Sequence, residues 1–227
     1  MGLDMYLYKA PRIGDLTPSQ IETLDSYFDW QRSKSADEEY ANCSFEKWCG
    51  HSEEEIEEIG EDVINAFKDA LHTRYYVWDT DKEYPNTSIY DEIAYWRKAN
   101  QIHKWFVDNV QGGEDNCGDY EVSEEQLRDL LAACVTVKVN SRMKNAKIKN
   151  GMTMKNGKLV ASLEDSKTIA NPEIAKRLLP TCSGFFFGSE EYDQYYMEDI
   201  DDTIEQLNTI LDETDFEKEI VFYHASW

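Results

Sequence analysis

Three helix-start signals constrain the fold of this chain more than any other feature of its sequence. Each consists of Ser or Thr followed three residues later by Glu or Gln, an arrangement in which the two side chains cap the first turn of a helix reciprocally. The pairs are Thr17 and Gln20, Ser52 and Glu55, and Ser123 and Gln126. Apolar residues at helical spacing follow each pair, so we predict helices from position 18 to about 30, from 53 to 71, and from 124 through 134.

Shorter segments predict strands beside these helices. Residues 3–8 alternate apolar with polar or aromatic side chains, residues 219–224 are rich in β-forming types, and residues 75–78 form a short aromatic run. In residues 183–188, consecutive aromatic residues between Gly184 and Gly188 predict a buried strand with close backbone approach at the glycines. Few strands among several capped helices predict an α+β fold, in which amphipathic helices cover a small mixed or antiparallel sheet.

Residues 89–110 are predicted to form a central helix whose polar border suits a ligand site. One stripe of this helix is apolar, and polar or aromatic side chains flank it. The candidate ligand-binding residues are Trp96, Arg97, Asn100 and His103 on the helix and Ser183 on the strand. Because Arg suits an anionic or nucleotide ligand and Trp offers a stacking face, they predict a small-molecule pocket where the helix meets the Ser183-Gly184 strand. The same pattern fits a hydrogen-bonded network sealed in the core, and the residues alone leave both interpretations open.

An excess of acidic residues determines which partners we expect. The 227-residue chain has 46 Asp and Glu against 23 Lys and Arg, a net charge of −23, so nucleic acid backbones and anionic membranes would repel it. Neither is therefore expected as a direct partner. The candidate partner-binding face lies on a helix predicted over 192–211 and comprises Asp199, Asp201, Asp202 and Glu205. Such a face could engage a basic or nucleic-acid-binding protein, or it could simply be solvated.

One segment reverses this charge. Residues 138–158 contain seven basic residues and no acid. The turn dipeptides Asn150-Gly151 and Asn156-Gly157 predict a Lys-rich hairpin here, inserted at about 138–165 in a single domain that spans residues 1–227. The hairpin could fold back on the acidic faces or contact a partner by itself, and its role is left open.

Several functional classes lack the sequence features that they need. No apolar run could span a bilayer and no signal-peptide pattern is present. Together with five cysteines, an odd number without tight spacing, this favours a cytoplasmic protein. Cys43, Cys49 and His51 lack the spacing of a zinc site, and the acidic segment that starts at position 79 lacks the Gly and Glu of a calcium loop, so no metal or cofactor is expected. Cys182 or Ser183 with a distant His could form a nucleophilic site, but no established catalytic motif occurs, and a non-enzymatic role is favoured.

Segments from both ends of the chain support a resemblance. They are residues 1–7, the stretch from Tyr95 to Asn100 with Ile102-His103 and Trp105-Phe106, residues 178–181, residues 183–189, Tyr192-Asp193 and the closing Ser226-Trp227. In these segments the chain resembles a family of bacteriophage- and prophage-encoded proteins, often of Gram-positive hosts, for which no activity is established. The resemblance implies an accessory protein made in the cytoplasm of an infected bacterium. It favours a non-enzymatic acidic binder that inhibits a host protein of defence or nucleic-acid handling. The alternative, which rests on the pocket residues, is a small-molecule or nucleotide-binding protein that could be an enzyme.

Overall fold

Helices and antiparallel strands account for most of the chain in the computed structural model, which describes residues 2–36, 43–78, 88–155, 157–184 and 187–227. The helices in these residues are α1 (Pro18–Ala36), α2 (Phe45–Cys49), α3 (Glu53–Ile59), α4 (Glu61–Trp78), α5 (Asn100–Asn109), α6 (Glu124–Asn140), α7 (Glu173–Leu178) and α8 (Gln194–Glu213). The strands are β1 (Asp4–Pro11), β2 (Asp91–Arg97), β3 (Tyr120–Glu121), β4 (Met143–Lys155), β5 (Lys158–Ile169) and β6 (Glu219–Ser226). The predicted α+β fold is confirmed. No helix in these ranges is long and apolar enough to cross a membrane.

The two ends of the chain meet in a four-stranded sheet of order β2-β1-β6-β3. All of its pairings are antiparallel, and β1 pairs with β6 along its full length, from Asp4 opposite Ser226 to Pro11 opposite Glu219. The predicted N-terminal and C-terminal strands are therefore confirmed, and they form the centre of the sheet.

Each face of this sheet packs against its own set of helices. Successive side chains of a strand point to opposite faces, so Leu3, Met5 and Leu7 enter a core with α5, α6 and α8. On the other face, Ala10 of β1 and Phe222 of β6 enter a second core with α1, α2, α3 and α4. Each large apolar side chain that is removed from water in this way contributes roughly 1.5–3 kcal/mol.

The three predicted helix starts are confirmed. Ser52 and Ser123 form complete capping boxes with Glu55 and Gln126, and the hydroxyl of Thr17 accepts a hydrogen bond from the backbone of Gln20. The helix predicted over 53–71 is nevertheless divided into α3 and α4, because the backbone at Gly60 has a φ of +93°. The strand predicted over 75–78 is wrong, since these residues continue α4.

The helix predicted over 89–110 is also wrong in its first half. Residues 91–97 form β2, where Ala94 and Trp96 are buried and Tyr95 and Arg97 are exposed, so the burial follows the period of two of a strand. Lys98 has a φ of +63° and separates β2 from α5. Trp96 and Arg97 therefore lie on an edge strand, and only Asn100 and His103 lie on the helix.

The strand predicted at 183–188 is not formed by Ser183, Gly184, Phe187 or Gly188, while residues 185 and 186 lie outside the described residues. The backbone of this segment bonds instead to the side chain of Asn100. The predicted close approach is confirmed at Gly188, where an added Cβ would lie 3.0 Å from the carbonyl oxygen of Lys98.

The Lys-rich hairpin consists of β4 and β5, paired from Met143 opposite Ile169 to Lys155 opposite Lys158. The strands are joined between Lys155 and Lys158, where the second turn was predicted, and Asn156 itself lies outside the described residues. The pairing register shifts between Lys149 and Met152, so Asn150-Gly151 forms an irregularity within β4 and not a turn.

Candidate functional site

Asn100 clamps the segment 182–189 onto the start of α5. Its side chain is buried, and Nδ2 donates to the backbone oxygens of Phe187 at 3.1 Å and Ser189 at 2.9 Å. Oδ1 accepts from the backbone N–H of Cys182 at 3.0 Å. Both amide N–H groups are thus engaged, and Asn100 acts here as a structural hydrogen-bonding residue.

His103 and Tyr223, which are both buried, form a relay with the exposed Asp115. Its Nδ1 is 2.7 Å from the hydroxyl of Tyr223, and Nε2 is 3.1 Å from Oδ1 of Asp115 without the alignment of a hydrogen bond. Burial lowers the pKa of His103, against the opposing effect of Asp115, while burial raises the pKa of Tyr223. Tyr223 therefore remains protonated and His103 neutral near pH 7, with the hydroxyl beside Nδ1 and the carboxylate of Asp115 beside Nε2.

In the described residues, the other three predicted ligand-binding residues make no hydrogen bond or ion pair with His103. Trp96 is buried, and its Nε1 donates to Oγ1 of Thr203 on α8 at 2.9 Å. Arg97 is exposed, with Nε 3.8 Å from Oδ1 of Asp4. Ser183 is exposed. The five residues therefore do not line one common pocket.

A cavity of about 270 Å³ does lie near the predicted position, between the β2–α5 connection and the N-terminus of α8. Its lining includes Arg97, Lys98, Gln101, Ser189 and Asp199. Burial raises the pKa of Asp199 to about 7, although Gln101 Nε2 opposes this by donating to its carboxylate at 2.9 Å. This carboxyl group is therefore close to its titration midpoint at neutral pH.

The predicted acidic face of α8 is not continuous. Asp199 turns toward Gln101, and Oδ1 of Asp201 lies 2.7 Å from Nζ of Lys138 on α6. Asp202 and Glu205 are exposed and, within the part of the chain that the structure describes, have no ion pair. They line a shallow recess of about 330 Å³.

A row of tyrosines was not predicted as a site. It lies on the face of the four-stranded sheet opposite to Leu3, Met5 and Leu7. We use the name tyrosine row for the side chains of Tyr95, Tyr6, Tyr8 and Tyr90. Their neighbouring ring centroids are 5.2, 5.6 and 5.0 Å apart in that order. Tyr95 is 40% exposed, and its hydroxyl donates to Oδ1 of Asp4 at 2.5 Å. The alternation of Tyr6 and Tyr8 along β1 was visible in the sequence, but their pairing with Tyr95 and Tyr90 depends on the sheet.

Beside this row, Glu22, Asp119 and His224 form a second relay. The hydrogen bond to Asp119, together with burial, raises the pKa of Glu22 to about 7. Burial raises the pKa of Asp119, but the bonds from His224 and Glu22 outweigh burial and hold it below its usual value. His224 Nδ1 lies 3.0 Å from Asp119, and this bond raises the pKa of the imidazole. The arrangement fixes the ring of His224, which lies 6.3 Å from that of Tyr6.

In the described ranges, no three His, Cys, Asp or Glu side chains are grouped so that they could hold a metal ion. No protein-family model, curated protein or solved structure matches the chain.

Proposed function

We propose that this protein is a non-enzymatic accessory protein of a bacteriophage that binds and blocks a basic protein of the bacterial host. The observation that carries the proposal is that several carboxylates surround the tyrosine row. Asp4 bonds to Tyr95, Glu92 lies opposite Tyr8 in the sheet, and Asp119 lies beside the row through its bond to His224. Of the charges that shift the pKa of Tyr6, Asp4 and Glu92 are anionic and Arg97 is cationic.

Such a surface suits a cationic segment of another protein. The face of an aromatic ring attracts a cation, and exposed Tyr is a frequent energetic centre of protein interfaces. A guanidinium can stack on a ring while it bonds a carboxylate through two N–H groups, so Arg fits better than Lys. The excess negative charge of the chain would mainly speed the encounter and select basic partners. A host protein with a basic nucleic-acid-binding groove has these properties.

The first test measures binding of a synthetic Arg-rich peptide to the full chain by calorimetry. Tyr95→Ala should weaken binding by about tenfold or more, because it removes the most exposed ring of the row. Tyr195→Ala is the matched control, since Tyr195 is also 40% exposed and its hydroxyl also donates to a carboxylate, that of Glu164. Equal losses in the two variants would contradict the proposed site.

A charge reversal separates local from global electrostatics. Glu92→Lys and Glu57→Lys change the net charge equally at exposed positions, the first beside the row and the second on α3. We expect Glu92→Lys to weaken peptide binding more strongly than Glu57→Lys does. Added salt should weaken binding of the peptide to the wild type. A host protein captured by the wild type and by Tyr195→Ala, but not by Tyr95→Ala, would identify the target.

A second candidate function rests on the cavity at Arg97 and Asp199. We propose that it would hold a small polar molecule that carries both charge signs, because two cationic and three acidic residues line it. Native mass spectrometry of the purified protein should then detect an adduct that Arg97→Ala removes. Arg128→Ala is the control, because Arg128 lies on α6 and pairs with Glu124. Loss of the adduct in both variants would argue against this site.

A further inference from the structure

The outer half of the β4–β5 hairpin presents an apolar face that is exposed to solvent. Side chains of cross-strand pairs and of alternate residues along a strand share one face of a ribbon. This rule places Met152 and Met154 of β4 on the same face as Leu159, Ala161 and Leu163 of β5. The four large side chains are 63%, 69%, 65% and 57% exposed in the order Met152, Met154, Leu159, Leu163. Contiguous apolar surface of this kind marks an interaction site.

Only the base of the hairpin is held by the rest of the molecule. In the described residues, its hydrogen bonds and ion pairs to other elements involve positions up to 149 on β4 and from 164 on β5. For example, Nζ of Lys149 lies 3.4 Å from Oε1 of Glu191, and the hydroxyl of Tyr195 donates to Oε1 of Glu164 at 2.7 Å. The remaining six residues of β4 therefore project by about 20 Å at the usual rise of a strand. An isolated two-stranded ribbon has marginal stability in water, so this projection would gain from a partner.

The charge of the hairpin identifies the partner's chemistry. Residues 143–169 contain six lysines and two acids, whereas the rest of the chain has a net charge of −27. Lys144, Lys155 and Lys158 have no ion pair in the part of the chain that the structure describes. Two acidic bodies repel each other, but the hairpin of one copy and the body of another attract. A second copy of this chain thus has the complementary charge.

A matching surface lies on α6. Helical spacing places Ala132, Val135 and Val139 on its exposed face, and Val139 is 73% exposed. Asp129 and Glu125 continue the same face toward the N-terminus and are also exposed. Apolar side chains of the hairpin can therefore pack on apolar side chains of α6. Lys155 and Lys158 continue the other face of the ribbon, but they lie at its end, where their long side chains can extend past the edge to these two carboxylates.

We propose that the protein forms a two-fold dimer in which the hairpin of each copy packs across α6 of the other. In each copy α6 ends at Asn140 and β4 begins at Met143, so the contributed hairpin and the receiving helix are adjacent. One two-fold axis can therefore satisfy both contacts at once, as an isologous interface requires.

The oligomeric state of the full chain is the first test, measured by sedimentation equilibrium at concentrations up to about 100 μM. The wild type should be a dimer, and Met154→Glu should dissociate it by placing a charge in the apolar contact. Thr153→Glu is the matched control. Thr153 is the neighbour of Met154 and is also exposed, but its side chain lies on the opposite face of the ribbon. Circular dichroism confirms that each variant is folded. A monomeric wild type, or a dimer that Met154→Glu leaves intact, would overturn the proposal.

Charge exchange tests whether α6 is the receiving surface. Reversal of the tip (Lys155→Glu with Lys158→Glu) and reversal of the helix (Glu125→Lys with Asp129→Lys) should each weaken the homodimer by about tenfold or more. When the two variants are mixed, both contacts regain opposite charges, so a heterodimer should form and be visible by native mass spectrometry. If the mixture contains only monomers, the hairpin does not dock on α6 and the proposed interface is wrong.

Discussion

Replacing Asn100 by Ala should detach the segment 182–189 from α5 and destabilise the protein by about 3 kcal/mol. The side chain makes three hydrogen bonds to this segment, to the backbone of Cys182, Phe187 and Ser189. Ser189 is exposed, so water can replace its lost bond at little cost. Phe187 is buried and Cys182 is half-buried, and each unpaired backbone group there costs about 1–2 kcal/mol.

The measurement is urea unfolding followed by circular dichroism, with hydrogen exchange at the amide of Cys182. A loss of about 3 kcal/mol corresponds to a decrease in Tm of roughly 6–12 °C for a chain of this size. The control is Asn208→Ala, because Asn208 is exposed and bonds only within its own helix, to the carbonyl of Ile204; it should change stability by no more than about 0.5 kcal/mol.

The exchange data decide between two roles for Asn100. The amide of Cys182 should exchange faster in Asn100→Ala and at the wild-type rate in Asn208→Ala, since only the first change removes its acceptor. If Asn100→Ala leaves both stability and this amide unchanged, the clamp contributes nothing. Asn100 would then be available to a ligand, as the sequence also allowed.

Three further predictions concern the same region. Because the raised pKa of Asp199 means that the folded state holds the proton more tightly, stability should fall as pH rises from about 4 to 7. The shift from 3.8 to about 7 corresponds to about 4 kcal/mol, which solvent screening reduces. We therefore expect the difference in unfolding free energy between Asp199→Asn and the wild type to be about 1–2 kcal/mol more favourable to the variant at pH 8 than at pH 5, measured by denaturant unfolding. Gly188→Ala should lower the unfolding free energy by about 1–3 kcal/mol, because φ is +97° and the new Cβ would press on Lys98. Thr203→Val should cost about 1–3 kcal/mol by leaving the buried indole N–H of Trp96 unpaired, and Thr203→Ser should restore most of it, both measured by thermal unfolding.

Local signals in the sequence predicted much of the fold. Ser52 with Glu55 and Ser123 with Gln126 determine helix starts through bonds made within three residues, so no distant partner is needed. The alternation at Leu3, Met5 and Leu7 likewise reports burial of one strand face. These features depend on the near neighbours of each residue, which the sequence contains.

The helix predicted over 89–110 was wrong in its first half because the residue pattern there fits both the 3.6-residue period of a helix and the two-residue period of a strand. Around Tyr95 the aromatic and apolar residues fit a helical stripe, but alternate burial of Ala94 and Trp96 also fits a strand. Pairing of β2 with β1 decided the outcome, and that partner lies about ninety positions away in the sequence. Formation of a strand turned Trp96 into the core toward Thr203, so a predicted stacking residue became a buried one.

The candidate sites were harder to predict because distant residues compose them. Asn100 meets Cys182, and His224 meets Asp119, across separations of 82 and 105 residues. The residue types were visible, but their convergence depends on the meeting of β1 and β6 at the centre of the sheet. The segment 112–119 then supplies Asp115 to one face of β6 and Asp119 to the other.

The two proposed surfaces lie on opposite faces of the four-stranded sheet. The tyrosine row lies on the face where α1 packs, whereas α6 packs on the face of Leu3, Met5 and Leu7. A dimer formed through the hairpin and α6 would therefore leave the exposed Tyr95 of both rows accessible, and the protein would bind in a bivalent manner. On a surface coated densely with the Arg-rich peptide, the wild type should then dissociate about a hundredfold more slowly than Met154→Glu.

In solution each site binds one peptide, so the two proteins should have the same affinity. Met154 lies in the projecting half of the hairpin, which in the described residues makes no hydrogen bond or ion pair with the tyrosine row. Equal dissociation from the dense surface would show that the dimer does not present two rows together. A loss of solution affinity in Met154→Glu would show instead that the hairpin itself contributes to peptide binding. Dimerisation and partner binding would then use the same surface, and the lysines of the hairpin would compete with the partner for the acidic body.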